Sequence, residues 1–190
     1  MDQQSNSTIE NQGGDSPLVT LFRHNLWANL RLIDACAALE ADQLATSAAG
    51  TYGAIYDTLN HIARGEEGYL IHVTGQQPAR RLRGEETPDI ATIREHANAS
   101  GAGLVAFAAA MTPDAIAYLN DDEDENLVWP APAGFILTQA INHATEHRAQ
   151  VMTILTQLGI EPPDLSGWVF MESTAGLIAI ARPDAGQAER

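Results

Sequence analysis

Two histidines one helical turn apart could bind a single metal ion. His143 and His147 are four residues apart in a stretch whose apolar residues have helical spacing. Side chains at i and i+4 share one face of a helix, so two neutral imidazoles can bind the same cation there. Zinc, nickel, copper and iron all accept imidazole ligands, and the spacing alone does not choose among them.

The surrounding helix predicts that this pair faces the protein core. Apolar and small residues recur at alternating steps of three and four, and His147 lies on that row while His143 lies on the adjacent one. The row consists of Leu137, Ala140, Ala144, His147, Val151, Ile154 and Leu158. A core imidazole without a hydrogen bond or a metal costs about 1–3 kcal/mol. We therefore expect a further ligand or partner from another element.

The elements that must position these histidines are four amphipathic helices. The predicted helices are about Pro17 to Leu39, about Ala54 to Thr74, from Thr87-Pro88 to Thr112-Pro113, and Gly134 to Leu158. Four such helices predict an all-α four-helix bundle. Ala115–Leu119 and Asn126–Trp129 predict a short β-hairpin before the fourth helix, and Asp164 predicts the cap of a short final helix through about Ala175.

The second helix offers the missing ligand. His61 lies beside the apolar row that contains Leu59 and Ile62. On a facing helix, His61 would join His143 and His147 in a site of three imidazole nitrogens that leaves positions for water or substrate. The alternative is a bundle whose histidines never meet and which binds no stoichiometric metal.

Two polar residues also lie on core-facing rows, and each has two interpretations. Asn25 either hydrogen-bonds a ligating imidazole or sets the register of the helices. Glu66 is a candidate catalytic residue that either accepts a proton from metal-bound water or pairs with an arginine. Glu146 is not the base of an HExxH motif, because Ala144 directly follows His143, and a zincin-type protease is disfavoured.

The other histidines and the single cysteine have simpler interpretations. His24, His72 and His96 lack neighbouring ligands in the sequence, and His96 is expected to be exposed. Cys36 excludes an internal disulfide and is expected to be a small core residue.

Length and hydropathy indicate one domain without a membrane span. The chain has 190 residues, 45% of them hydrophobic, and no long apolar run. We expect a single domain over 17–181, a disordered N-terminal tail over 1–16 and a mobile C-terminal tail over 182–190. The polar N-terminus lacks the apolar centre of a signal peptide, so cytoplasmic residence is expected.

The charge excludes two classes of partner. The chain has 10 Lys+Arg against 25 Asp+Glu and a formal net charge of −15, which would repel nucleic acids and anionic membranes. The acidic run Asp121–Glu125 lacks the spacing of a calcium loop and is expected to be a solvated turn. Arg80, Arg81 and Arg83 stand out in the irregular connection from 76 to 86.

These motifs together resemble the DinB/YfiT-like superfamily of metal-binding four-helix bundles. The matching segments are Asn25–Asn29, Leu59–Ile62, Asn142–Gln150, Leu158-Gly159 and Pro162–Asp164, and the resemblance covers roughly Leu18 to Phe170. It implies an up-down-down-up bundle, a homodimer, and a divalent ion bound by His61, His143 and His147. Zinc is the first expectation, with nickel, iron or manganese as alternatives.

The resemblance also implies two kinds of function. Some relatives are thiol-dependent S-transferases or isomerases that use a low-molecular-weight thiol, and others are described as metal-dependent hydrolases. The leading hypothesis is a metal-dependent enzyme that activates a thiol or water against a small electrophilic substrate. The competing hypothesis is a non-catalytic metal-binding bundle with a structural or stress-sensing role.

Overall fold

A computed structural model of the protein describes residues 14–120 and 127–174. The four long helices are α1 (Pro17–Cys36), α3 (Ile55–Thr74), α4 (Ile90–Ala110) and α5 (Ala133–Gln157). The shorter elements are α2 (Ala41–Leu44), a single 3-10 turn (Leu82–Gly84), the strands β1 (Ile116–Asn120) and β2 (Val128–Pro132), and α6 (Gly167–Thr174). The predicted four-helix bundle with a short hairpin and a short final helix is confirmed.

The helices run up, down, down and up in chain order. Both α1 and α3 pack against α4 and α5. The start of α4 meets the end of α1, so these two helices are antiparallel, whereas α4 runs parallel to α3. The contacts that set these directions are Arg94 with Asp34, His96 with Glu67, and Gly103 with Leu70. Helix α5 is antiparallel to α3, because His143 contacts Tyr69 whereas His147, one turn later on α5, contacts His61, two turns earlier on α3.

A layer of buried polar residues divides the apolar core into two clusters. One cluster lies where α1 and α5 end and α3 and α4 begin, and it includes Leu32, Leu59, Ile93 and Leu155. The other lies at the opposite end and includes Phe22, Leu104, Leu137 and Ala140. The side chains between them along the helices are Asn25, Asn29, Glu66 and Arg148, each at most 4% exposed. The candidate site lies at this level of the bundle.

Helix ends follow local capping chemistry, with one correction. Ser16 accepts a hydrogen bond from the Val19 amide, and Pro17 is the first residue of α1. The sequence predicts that the third helix begins at Thr87-Pro88, with Thr87 as its cap, but the Asp89 carboxylate accepts from the Thr92 amide at 2.7 Å and α4 begins at Ile90. Threonine and aspartate both cap helices, and the pattern favoured the residue before proline.

The other ends shift by a few residues. Gly75 and Gly159 end α3 and α5 with φ of 67° and 74°, the left-handed conformation that glycine adopts without a steric penalty. Asp164 accepts from the Ser166 amide in the turn ahead of α6, and Ser166 in turn accepts from the Val169 amide. The final helix therefore begins at Gly167, later than predicted.

Hairpin strands also lie later than predicted. The arms expected at Ala115–Leu119 and Asn126–Trp129 are instead β1 and β2, which pair antiparallel from Ile116 opposite Pro132 to Asn120 opposite Val128. The predicted acidic turn at 121–125 and most of the predicted tails, 1–13 and 182–190, lie outside the described residues. Among the described helices, none has the length and apolar character needed to cross a bilayer.

Candidate metal centre

Three imidazoles from two helices meet beside the polar layer. His61 comes from α3, and His143 and His147 come from successive turns of α5. One nitrogen of each ring lies within 4.8 Å of the others, and the Nε2 atoms of His61 and His143 are 2.8 Å apart. The structure thus brings together the three histidines that the sequence singles out.

Gln150 fixes the orientation of the His147 ring. Its Oε1 atom accepts the backbone N–H of Tyr52 at 3.0 Å and also lies 2.9 Å from Nδ1 of His147. Because a backbone N–H is always a donor, the atom of Gln150 that faces it must be the oxygen, and Nδ1 of His147 must carry its proton. The lone pair of His147 is therefore on Nε2, the nitrogen left for a metal.

Gly65 makes room for the His143 ring. A Cβ at position 65 would lie 2.7 Å from Cε1 of His143, which is too close for any side chain. Tyr69 contacts the same ring edge-on at a centroid distance of 5.6 Å, and Nδ1 of His143 is buried without a partner in the described part of the chain. The absent side chain at Gly65 therefore permits the close approach of α3 and α5 at the site.

Burial and the neighbouring imidazoles favour the neutral form of two of the rings. The pKa of His143 is lowered to about 4, mainly by burial and to a smaller extent by the neighbouring imidazoles of His147 and His61. Burial, followed by His147, also lowers the pKa of His61. Neutral imidazole is the form that binds metal, so these rings need not lose protons at pH 7 before they can bind.

The donor set fits a divalent ion that accepts nitrogen ligands. Zinc binds histidine nitrogens at about 2.0–2.1 Å, so tetrahedral ligands lie about 3.3 Å from one another. The observed nitrogen separations, 2.8 Å for one pair and within 4.8 Å overall, bracket that value. Two neutral imidazoles can share only one proton between facing nitrogens, whereas a cation satisfies all three lone pairs.

The site opens into a cleft of about 980 Å³. His61 and His143 line the cleft, whereas His147 is 8% exposed and lies behind them. Tyr52, itself 55% exposed, stacks on His61 with ring centroids 4.0 Å apart and planes 16° apart. A small molecule in the cleft would therefore reach two of the three imidazoles and the ring of Tyr52.

Asn25 contacts the polar layer rather than an imidazole. Asn25 and Asn29 both donate to Oε1 of Glu66, at 2.5 and 2.7 Å, and both accept from Nη1 of Arg148 at 2.6 Å. Nη2 of Arg148 donates to Thr145 at 2.9 Å. Of the two interpretations of Asn25, these contacts favour the setting of helix register, because Asn25 joins α1 to Glu66 of α3 and to Arg148 of α5.

Glu66 lies in the same network, away from the cleft. It is fully buried and does not line the cleft in the described structure, and its Oε2 atom has no partner there. Burial raises the pKa of Glu66 to about 7, while the hydrogen bond from Asn25 and the charge of Arg148 oppose that rise. Of the two interpretations of Glu66, the geometry favours association with an arginine, bridged by the two asparagines.

The remaining histidines lie apart from this site or only at its rim. His96 was expected to be exposed, but it is half-buried, with Nδ1 3.3 Å from Oε1 of Glu67. His24 contacts the carbonyl oxygen of Leu165 at 2.8 Å. His72 lines the cleft, and its Nδ1 lies 3.1 Å from a carbonyl oxygen of the hairpin. Within residues 14–120 and 127–174, no second group of three metal-binding side chains was found.

Sequence reasoning missed three residues that shape the site, namely Tyr52, Gly65 and Gln150. Gly65 follows His61 by four residues and so shares its helix face, a signal that the sequence did contain. Gln150 follows His147 by three residues on a helix, which is also a contact spacing. Tyr52 lies in a connection and has no periodic signal.

Comparisons with known proteins agree with this architecture. The sequence profile of a family described as the DinB family matches residues 3–185. A crystal structure of a DinB-like protein from Bacillus cereus ATCC 10987 superposes with a TM-score of 0.58 at 18% identity, covering 77% of this chain and 94% of that chain. At that identity the likeness concerns the fold. A search of curated proteins found no match.

Proposed function

We propose that this chain, which belongs to the DinB family, binds a divalent metal ion through His61, His143 and His147. The observation that carries the proposal is the convergence of three imidazole nitrogens at the wall of an open cleft. Zinc is the first candidate because it favours nitrogen ligands in tetrahedral sites. Nickel, iron and manganese are the alternatives to be tested beside it.

The finer proposal is a metal-dependent enzyme that acts on a small molecule. Three protein ligands leave a coordination position open. A metal ion in such a site would act as a Lewis acid and lower the pKa of a thiol or water bound to it. The reaction class is attack of that thiol or water on a small electrophile. A low-molecular-weight thiol is the proposed cosubstrate in the first case.

The residues of the chain have separate tasks in this proposal. His61 and His143 face the cleft and would contact the ion from the side on which substrate enters. Gln150 holds the His147 ring in the tautomer that binds through Nε2. Tyr52 covers the face of His61 and excludes water from that side of the site.

A second candidate function is a metal site that only supports the fold. The observation that favours it is the position of the imidazoles, which belong to α3 and α5 and lie beside the buried polar layer. An ion there would tie two helices together across the bundle and stabilise the native state. A stress-sensing role would use the same site without turnover.

Metal content tests the shared part of both candidates. We expect about one ion per chain by elemental mass spectrometry of the untagged protein, and loss of that ion in His61→Ala and His143→Ala. His72→Ala is the matched control, because His72 lines the same cleft outside the triad. A wild-type protein that takes up no metal after loading would exclude both candidates.

Turnover separates the two candidates. The metal-loaded protein should transfer a thiol to, or hydrolyse, members of a panel of small electrophiles, and the His143→Ala variant should lose that activity. Bound metal without turnover across the panel, together with a lower unfolding temperature after chelation, would favour the supporting role.

A further inference from the structure

Among the described residues, the lining of the cleft beside the imidazoles has more basic than acidic side chains. Three arginines line it, Arg64, Arg81 and Arg83, and Asp57 is the one acidic residue among the described lining residues. The whole chain has a formal net charge of −15. The concentration of cations at one cleft therefore needs an explanation that the fold does not supply.

Two of these arginines have no carboxylate partner in the described part of the chain. Arg64 donates from Nη2 to the backbone carbonyl of Glu85 at 2.8 Å, and its Nε is buried without an acceptor. Arg83 is exposed and forms no hydrogen bond or ion pair with another described residue. Both guanidinium groups thus retain donors for a ligand.

The third arginine is only loosely paired. Nε of Arg81 lies 3.9 Å from Oε2 of Glu67, beyond hydrogen-bond distance. Both oxygens of Glu67 already lie 3.2 Å from the Leu82 amide, and one is 3.3 Å from His96. Three of the four exposed arginines described outside the cleft have close carboxylate partners, in the pairs Arg23–Asp15, Arg80–Glu85 and Arg94–Asp34. The fourth, Arg31, lies over the ring of Trp27.

We propose that the cleft binds a small anionic molecule, with a carboxylate or phosphate group held by Arg64, Arg81 and Arg83 and the rest of the molecule directed toward His61 and His143. This inference rests on the proposed function, because it names the class of substrate that would reach the metal. Guanidinium groups match carboxylate and phosphate oxygens with two parallel hydrogen bonds. A cleft of about 980 Å³ accommodates a molecule of metabolite size.

Calorimetry on the full-length, zinc-loaded protein tests the inference. The probes are succinate, methyl phosphate and uncharged succinamide, each titrated at constant ionic strength into protein freed of excess zinc. We expect at least one anion to bind and succinamide not to bind. The difference between the two anions identifies which group the arginines prefer.

Arginine variants show whether the cleft is the binding site. We expect Arg83→Gln and Arg64→Gln each to weaken anion binding about tenfold, because each removes a hydrogen bond between charged groups. Arg80→Gln is the matched control, since Arg80 is three residues from Arg83 but does not line the cleft. It should change affinity by less than about twofold. Arg83 is exposed, so its variant keeps the test valid if Arg64→Gln unfolds.

Two results would overturn the inference. One is that neither anion binds the wild-type protein, and the other is that both cleft variants bind as tightly as the Arg80→Gln control. The zinc content of each preparation is measured beside the calorimetry. If the zinc-loaded protein binds neither anion, this inference alone is overturned. If the protein binds an anion but takes up no zinc, the metal proposal is overturned.

Discussion

At the scale of single residues, the geometry of the candidate centre depends on groups that are not themselves ligands. Gln150 sets the tautomer of His147 by accepting its Nδ1 proton. Gly65 leaves the space that the His143 ring occupies. Groups of this kind typically change metal affinity by ten- to a hundredfold when they are replaced.

Gly65→Ala should therefore weaken metal binding. The added methyl would lie 2.7 Å from Cε1 of His143, so the ring must move away from its position beside His61. We expect zinc affinity, measured by competition with a coloured chelator, to fall about tenfold or more.

Gly68→Ala provides the control for this variant. Gly68 lies on the same helix and the same cleft, but a Cβ there meets nothing within 4 Å. That variant should keep its zinc affinity and gain about 0.5–1 kcal/mol of stability from the better helix propensity of alanine. Equal zinc affinities for the two variants would show that Gly65 does not position the ring.

At the scale of secondary-structure elements, the buried polar layer connects three of the four long helices. Asn25 and Asn29 belong to α1, Glu66 to α3 and Arg148 to α5. Two atoms of this network are shared, since Oε1 of Glu66 accepts from both asparagines and Nη1 of Arg148 donates to both. A buried network of this kind favours one register of the helices over others.

Glu66 should make stability fall as pH rises. Its folded-state pKa of about 7 lies above the ordinary value of 4.5, so the folded state holds this proton more tightly than the unfolded state. The contribution is complete below pH 4.5 and is lost as pH rises toward 7, by about 3 kcal/mol at most. Urea unfolding of metal-free Glu66→Gln and wild-type protein at pH 5 and pH 8 measures it.

The readout is how the difference between the two proteins changes with pH. The free energy of unfolding of Glu66→Gln, relative to that of wild type, should be higher at pH 8 than at pH 5, because glutamine cannot ionise. This change is expected whether the variant is more or less stable than wild type at pH 5. All other ionisable groups are present in both proteins, so the difference reports on Glu66. Glu66→Gln should also retain metal. A pH-independent difference would contradict the raised pKa, and lost turnover with retained metal would restore the proton-transfer role of Glu66.

Local signals explain why the helices could be predicted and the layer could not. Apolar spacing and the glycines at 75 and 159 placed α3 and α5 to within one residue, since each signal lies inside the element concerned. Asn25 and Glu66 were recognised as polar residues on inner rows. Their partner Arg148 was missed, because the contact depends on how α1, α3 and α5 lie side by side.

The candidate centre shows the same division. His61, His143 and His147 could be grouped because all three belong to core-facing parts of helices that a bundle brings together. Tyr52 and the arginine-lined cleft depend on the path of irregular connections, and no periodicity constrains those paths. The candidate ligands of the site were therefore predictable, while the residues that wall the cleft were not.

At the scale of the whole molecule, a bound ion should stabilise the bundle. Any ligand that binds only the native state adds free energy of unfolding, about 2.7 kcal/mol at a hundred times its dissociation constant. We expect zinc to raise the thermal midpoint of the wild-type protein and to leave that of His143→Ala unchanged. An equal rise in both proteins would place the bound zinc elsewhere.

The homodimer implied by the family resemblance is a separate prediction. Several large apolar side chains of the hairpin and the start of α5 are exposed, and such clusters are common where two protein surfaces meet. Light scattering of the protein as it elutes from a size-exclusion column should give twice the chain mass of 20.4 kDa. A mass equal to one chain would leave the monomer as the working unit.

The division of the core by the polar layer has a consequence for protein engineering. The two apolar clusters have no residue in common, and substitutions at well-separated sites usually add independently. The cluster that contains Leu32 and Leu155 could therefore be repacked for greater thermal tolerance without redesigning the opposite end. A library can therefore vary one half of the core while the polar layer and the candidate metal centre between the two halves are kept.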